Sequence, residues 1–375
     1  MKFIVSSSLL LKNLVSIGGI LNARNTMPIL DDFLFELQGD TLKMTASDLE
    51  TTMISEMKVD MSEGDGMFAV PAKMLMDVLR TFSDVPMTFT IDLANQSVAL
   101  SAGEGHYHIA GHNGEEFPHL PEFADAETIK LTSETLTNAI SKTLFATSNE
   151  ELRPSITGVL FDITPNEVVF VATDAHKLVK YSKSGSFGET VTNFVVPKKP
   201  LNQLKNILQN EDCEVTVEYN KTNVTFTFGT YKMFSRLINS PFPNYNMIIP
   251  KDNPNCMIID KGQLLNTMRR IGYFVSQSTN QIRMKIGGNV LVISGEDMDL
   301  SNKAEEKIAC EYTGNDIVIG FNAKFFQEML THVDTANVRI ELSQPNRAAV
   351  ILPIEESETD EKLFMLISPV MLNNY

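Results

Sequence analysis

The sequence has no tryptophan and only three cysteines, and its 31 lysines and arginines are outnumbered by 47 aspartates and glutamates. Cys213, Cys256 and Cys310 are odd in number, widely spaced and in no CxxC pair. That pattern excludes a disulfide-stapled scaffold, argues against a zinc ribbon and suits a reducing, cytoplasmic setting. No apolar run reaches the ~18 residues that a spanning helix requires, so no membrane partner is expected. The opening Met1-Lys2-Phe-Ile-Val is apolar, but three serines and then Lys12-Asn13 interrupt it, and no small-x-small cleavage site follows. It reads as a strand leading into a helix rather than as a secretion signal. A GxxxxGK[ST] phosphate loop and a nucleophile elbow are missing, and Asp297 and Asp299 lack partners at a calcium-loop spacing. No catalytic residue, metal or cofactor is therefore expected. A net charge of −16 speaks against nucleic acid only if the charge is evenly spread.

What the chain does have is a repeat. Pro28 answers Pro154, Phe35 answers Phe161, and Asp48 in Thr45-Ala-Ser-Asp48 answers Asp174 in Val171-Ala-Thr-Asp174, all at an offset of 126. Phe68-Ala-Val-Pro71 answers Phe194-Val-Val-Pro197, and after one lost residue Phe117-Pro118 answers Phe242-Pro243. A fainter third copy carries Val290-Leu-Val-Ile293 and the strand-to-helix passage Ile317-Val-Ile-Gly-Phe-Asn322. A register held over that many positions implies three tandem copies of one domain. Acidic, Pro- and Asn-containing stretches near 124–128 and 250–255 set the boundaries, giving copies at 1–126, 127–252 and 253–375. A third irregular stretch, 355–361, reads as a solvated acidic loop.

Helical periodicity predicts two helices per copy. They fall at 6–22 (Leu9, Leu10, Leu14, Ile17), 72–82 (Leu75, Val78, Leu79), 133–147 (Leu136, Ile140, Leu144), 197–209 (Leu201, Leu204, Leu208), 261–276 (Leu264, Leu265, Met268, Ile271) and 322–333 (Phe326, Met329, Leu330, Val333). Alternating runs such as Phe33, Phe35 and Leu37 predict mostly antiparallel strands between them, so each copy is an α+β domain. The six helices carry a combined +8, which leaves −24 on the rest of the −16 chain. If they share one side, that side attracts phosphates while the remainder repels non-specific contact. The duller alternative is that helices collect lysine for i,i+4 pairing, but internal pairing within 197–209 and 261–276 is weak.

The motif order is Met1-Lys-Phe, Arg24…Pro28-Ile-Leu30, Ser47-Asp-Leu-Glu50, Val70-Pro-Ala72, Phe117-Pro118, Thr173-Asp-Ala-His176, Val196-Pro197, Phe242-Pro-Asn-Tyr245, Gly320-Phe-Asn322 and Ser368-Pro-Val-Met371. It resembles the bacterial sliding clamp family, the beta subunits of DNA polymerase III, over the whole chain. The resemblance implies a DNA clamp fold and a head-to-tail homodimer closing into a six-domain ring, with helices toward a central hole. Double-stranded DNA would pass through that hole, held by topology without base readout. Partners implied are the DNA polymerase III catalytic subunit, the clamp loader complex and other proteins bearing a clamp-binding motif. Such a ring tethers its clients by effective concentration and performs no chemistry.

Residue by residue, the family's partner pocket maps onto Ile156, Thr173, Ala175, His176, Lys177, Leu178, Pro243, Met247 and Ile248, and onto Val350, Leu366, Ile367, Ser368, Pro369, Val370 and Met371. Ala175 stands where the family often has glycine, Lys177 where arginine is common, and Ser368 where methionine is common. The tail Asn373-Asn374-Tyr375 runs past the family's usual end and is expected to cover part of the pocket. DNA-facing positions map onto Arg24, Lys73, Arg153, Lys198, Lys199 and Arg283, with Pro154 and Ser155 replacing the aromatics of some relatives. The subunit interface maps onto Tyr107 and Ile109 against Tyr273 and Phe274. Two other readings compete. His106, His108 and His112 with Asp174 suggest a metal hydrolase, against which stands the ordinary case of solvent-facing strand histidines. An acidic scaffold that never meets DNA is the other, and the +8 on the helices opposes it.

Overall fold

In the computed structural model, which describes residues 1–22, 25, 27–120, 123–354 and 359–372, every copy begins with a strand whose last residue caps the helix that follows. Strand Lys2–Ser6 leads into helix α1, Ser7–Gly18, and the Ser6 hydroxyl accepts from the Leu9 amide. Copy two repeats this with α3, Ser133–Thr143, capped by Thr132 on the Thr135 amide. Copy three repeats it with α5, Lys261–Gly272, capped by Asp260 on the Gln263 amide. Each such cap satisfies an otherwise orphaned donor and is worth about 1 kcal/mol. The second strand-helix unit of each copy gives α2, Ala72–Leu79, α4, Lys198–Leu208, and α6, Ala323–Thr331. Pro71 and Pro197 end the strands before α2 and α4, where a fixed φ suits helix entry, while the Asn322 side chain caps α6.

All six predicted helices exist, and several are shorter than expected. α1 stops at Gly18 rather than at 22, because Gly18-Gly19 weakens the helix and the Lys199 ammonium draws off the Ile20 carbonyl. α3 stops at Thr143, and Leu144–Ala146 tighten into a 3-10 turn. Leu9, placed on the apolar face by periodicity, is exposed.

The strands pair antiparallel throughout the described residues, in a five-stranded, two nine-stranded and one four-stranded sheet. The chain divides into two compact units, one built from Met1–Thr137 and Lys199–Leu237, the other from the remainder. The central copy contributes to both, because each nine-stranded sheet crosses a copy boundary. Each copy has two strands of the kind used in those crossings. Thr51–Lys58, Lys177–Ser184 and Asn302–Ala309 are the lead strands; Gly105–Ala110, Tyr231–Arg236 and Glu361–Ile367 are the closing strands. In the first unit the copy-one lead strand pairs with the copy-two closing strand, from Thr51↔Ser235 to Ser55↔Tyr231. In the second, the copy-two lead strand pairs with the copy-three closing strand, from Lys177↔Ile367 to Lys183↔Glu361. The copy-one closing strand and the copy-three lead strand are left at sheet edges.

Aromatic clusters fill the cores. Phe3 stacks on Phe89 at 4.7 Å beside Phe35 in copy one. The counterpart of Phe35, Phe161, packs on Phe170 and Phe194 in copy two, and Phe321 meets Phe326 in copy three. Burying each such ring stabilises the fold by about 1.5–3 kcal/mol.

Candidate partner pocket and basic helix residues

Each copy turns into its lead strand around an aspartate. Asp48 Oδ1 accepts from the Glu50 and Thr51 amides, Asp174 Oδ1 from the His176 and Lys177 amides, and Asp297 Oδ1 from the Asp299 and Leu300 amides. Leu49 and Ala175 occupy the same left-handed position in the first two turns, at φ 75 and 74. That conformation favours glycine, which gives the family's usual residue at 175 a physical reason. What differs between the copies is the cation. In copy two it is Lys177, buried, with Nζ 2.6 Å from Asp174 Oδ2, 3.1 Å from Glu328 and 4.6 Å above the Phe325 ring, on which His176 also stacks. In copy one Lys199 of α4 takes that role, bonding Asp48 Oδ2 at 2.5 Å, the Ile20 carbonyl at 2.6 Å and Asn22 Oδ1 at 2.6 Å.

Lys177 therefore belongs to a buried ion-pair network and does not line a groove, contrary to its expected place in the pocket. Ile367, its partner across the joint, is fully buried on the same inner side and is corrected likewise. The opposite face of this joint carries the pocket floor. Leu178, opposite Leu366, clusters with Leu160, Val169, Val171, Val195 and Tyr245, and Ile238, Phe242, Ile249 and Phe364 pack on it. Val350, Thr173 and Ile156 are buried as well. Tyr245 fixes the covering segment by donating its hydroxyl to Asp162 at 2.8 Å, and burial together with that carboxylate pushes the phenol pKa up. From this anchored 3-10 turn, Met247 emerges 81% exposed and Ile248 53% exposed. Pro243, Ala175, His176 and Met371 are exposed too, while Ser368, Pro369 and Val370 are half-buried. The Ser368 amide bonds the His176 carbonyl at 2.9 Å, and the Val370 amide bonds the Gly320 carbonyl at 2.8 Å. The tail 373–375 lies outside the described residues.

The corresponding face of the first joint is more polar, although Leu34, Ala69, Ile29 and Phe117 keep a smaller apolar cluster there. Lys43, Thr45 and Thr52 stand where Val169, Val171 and Leu178 stand in the second, and the Thr52 hydroxyl is held by Ser47 at 2.8 Å. Among the described residues the second joint carries the larger apolar cluster on this face. Sequence reasoning missed the groove of about 1000 Å³ on the second joint's outer face, where Lys180, Arg339 and Lys362 flank Ile249, Ile258, Leu352 and Phe364. The signal was the strand alternation Leu178, Lys180, Ser182 facing Leu366, Phe364, Lys362.

The six expected DNA-facing residues separate. Lys73 is exposed on the first turn of α2 and makes no ion pair among the described residues. Among the described residues Lys198 has only a neutral partner, Asn149 Oδ1 at 3.3 Å. Arg153 is held by Glu150 through two hydrogen bonds of 3.1 and 2.5 Å. The three donors of Lys199 are all used, so it latches the end of α1 rather than standing as a free cation. Arg283 is corrected as well: Ile282, Met284 and Ile286 of its strand are buried, so Arg283 projects from the face turned away from α5 and α6. Arg24 lies outside the described residues. Lys12 and Arg269, exposed and without ion pairs among the described residues, are further free cations on helices, whereas Arg270 is bound to Glu306.

At the expected interface Tyr107, Tyr273 and Phe274 are exposed, whereas Ile109 is buried within its own copy. Phe82 meets Tyr107 edge-on at 5.8 Å. His112 Nδ1 lies 2.5 Å from Asp32 Oδ2 and His106 lies beside Ser101, and the described residues bring no three metal-ligating side chains together. No helix of the described residues is long and apolar enough to cross a membrane.

Three strand-helix copies joined through continuous antiparallel sheets make a DNA clamp fold. Models of the DNA polymerase III beta subunit N-terminal, central and C-terminal domains match residues 1–121, 130–244 and 246–367. The chain is 25% identical to the beta sliding clamp of Pseudomonas aeruginosa over 368 residues, covering 98% of this chain and 99% of that one. It is 26% identical to the beta sliding clamp of Bacillus subtilis over 383 residues, covering 99% of each. A solved structure of the Pseudomonas aeruginosa sliding clamp bound to griselimycin superimposes with a TM-score of 0.94 at 25% identity, covering 99% of this chain and 100% of that one. The chain belongs to the DNA polymerase III beta subunit family and is a sliding clamp, a processivity factor for the polymerase.

Proposed function

We propose that two copies close head to tail into a six-domain ring around duplex DNA in the cytoplasm. The domains are 1–126, 127–252 and 253–375, and the chain catalyses nothing itself. The observation that carries this reading is the pattern of strand joints. A lead strand pairs with the next copy's closing strand twice within the chain, and one edge of each kind remains open. A heterologous joint whose rotation closes gives a ring. Lys12, Lys73, Lys198 and Arg269 supply phosphate attraction inside it, which permits sliding because phosphates carry no sequence information. The joint bearing Leu178, Leu366, Met247 and Ile248 receives hydrophobic segments of the polymerase catalytic subunit, the clamp loader and other motif-bearing clients, with flexible methionines adapting to each.

The test is retention on nicked circular plasmid after loading by the cognate loader, followed by linearisation. Protein that stays on circles and runs off cut DNA is topologically linked; retention that ignores cutting refutes the ring. In the same assay Lys198→Glu is expected to reduce loading most at low salt, with the difference from the wild type narrowing as salt rises. Lys199→Met is expected to act on stability instead, costing about 2–3 kcal/mol in a denaturant melt by leaving Asp48 unpaired. Reduced loading with an unchanged melt for Lys199→Met would return it to the DNA face.

A further inference from the structure

The outer sheet face of the third copy stays open where the other two copies cover theirs. In copy one the facing pair Leu34↔Ala69 packs with Phe117, and in copy two Leu160↔Val195 packs with Tyr245 and Phe242. Both covers come from the segment that leads into the next copy. Leu34 and Leu160 stand one residue before the inward-facing Phe35 and Phe161, and Arg283 stands likewise before the buried Met284. The equivalent pair in copy three is therefore Arg283↔Gly320. Here the Val370 amide bonds the Gly320 carbonyl at 2.8 Å, and a Cβ on Gly320 would stand 2.7 Å from the Leu372 side chain. Leu372 thus lies over the glycine, while Arg283 is exposed. Building on the client pocket described above, we propose that this face docks an acidic, leucine-containing peptide segment carried by a client.

The chemistry of the face selects that occupant. Across its four strands one row reads Val318, Lys285, Val292, Lys307, and the next reads Gly320, Arg283, Ser294, Glu305. Three cations thus face one carboxylate, and none of them makes an ion pair among the described residues. The sheet's other outward carboxylates, Glu296 and Asp316, stand at its opposite ends. Valines alternate with lysines at the strand spacing of ~4.8 Å, so carboxylates and apolar groups of one segment find partners side by side. The phosphates of duplex DNA would meet the same cations and gain nothing from Val292 and the exposed Val318. A chain with a net charge of −16 repels an anionic peptide over most of its remaining surface, which favours this face. The pocket is also close by. The Ser368 amide bonds the His176 carbonyl at the pocket, and four residues later Leu372 covers Gly320. Four extended residues span about 13 Å, so a client continuing past its hydrophobic anchor reaches Arg283 and Lys285.

Methyl NMR of the full chain, labelled at valine and leucine, tests the face with the peptide Glu-Leu-Glu-Glu-Leu-Glu as probe. The Val292 and Val318 methyls are expected to shift on titration, and the Kd to rise severalfold between about 50 and 300 mM salt. Arg283→Glu with Lys285→Glu is expected to weaken that peptide about tenfold and to bind Lys-Leu-Lys-Lys-Leu-Lys instead, with an unchanged melt. Arg283→Gln with Lys285→Gln should fall between the two, which keeps the test open if the reversed variant folds poorly. Shifts confined to Leu178 and Leu366 would mean that the peptide enters the client pocket alone, and would overturn the proposal. So would a duplex oligonucleotide that moves Val292 and Val318 where the peptide does not. Polymerase binding by the same preparation separates the two readings. A chain that binds the polymerase catalytic subunit while its Val292 and Val318 methyls ignore the peptide overturns this face alone. A chain that fails to bind the polymerase overturns the pocket reading on which the proposal builds.

Discussion

Lys177→Met is expected to lower the unfolding free energy by about 3–5 kcal/mol, the largest single effect available outside the aromatic cores. The substitution removes the cation from between Asp174 and Glu328 and leaves the half-buried Asp174 with only its two amide donors. Desolvating an unpaired carboxylate, rather than losing a contact, dominates the cost. The same network joins copy two to α6, so a shift of the melting transition on the order of 10 °C is expected. Replacing the whole network, as Lys177→Met with Asp174→Asn and Glu328→Gln, should recover most of the loss. An asparagine oxygen still accepts the two turn amides, and no charge is stranded. A single variant that melts like the wild type would mean that the Lys177 ammonium reaches water.

The contrast between Lys177 and Lys199 shows what could be read in the sequence and what could not. The repeat and the six helices follow from local periodicity and offset, and they stand close to where the pattern puts them. Arg283 was also legible, since Ile282-Arg283-Met284-Lys285-Ile286 alternates and assigns it to the face away from the helices. The ammonium partners were not legible. Copy one satisfies its turn aspartate with a lysine 151 residues away, copy two with one three residues away, and no local rule chooses between them. Lysine counted as helix charge in α4 thus turned out to hold the end of α1. The pocket floor occupies a middle position: Leu178 and Leu366 look like ordinary core residues until the joint between copies pairs them.

Met247→Ala with Ile248→Ala should separate client binding from stability. Both side chains stand out from a turn that Tyr245 and Asp162 hold, so truncating them removes little buried surface, and the melt should move by less than about 0.5 kcal/mol. They are nonetheless the exposed apolar groups beside a dry floor, the setting in which a few residues carry most of the binding energy. Affinity for the polymerase catalytic subunit is expected to fall by about 2–4 kcal/mol, roughly 30- to 700-fold. Retention on nicked circles should survive, because topology rather than the pocket holds the ring on DNA. Leu178→Ala makes the informative comparison, since emptying the floor should cost about 2–5 kcal/mol of stability as well as client affinity. Polymerase binding that tolerates the Met247 and Ile248 changes but not Leu178→Ala would place the anchor deeper, on the floor, and would leave the two exposed residues as surface only.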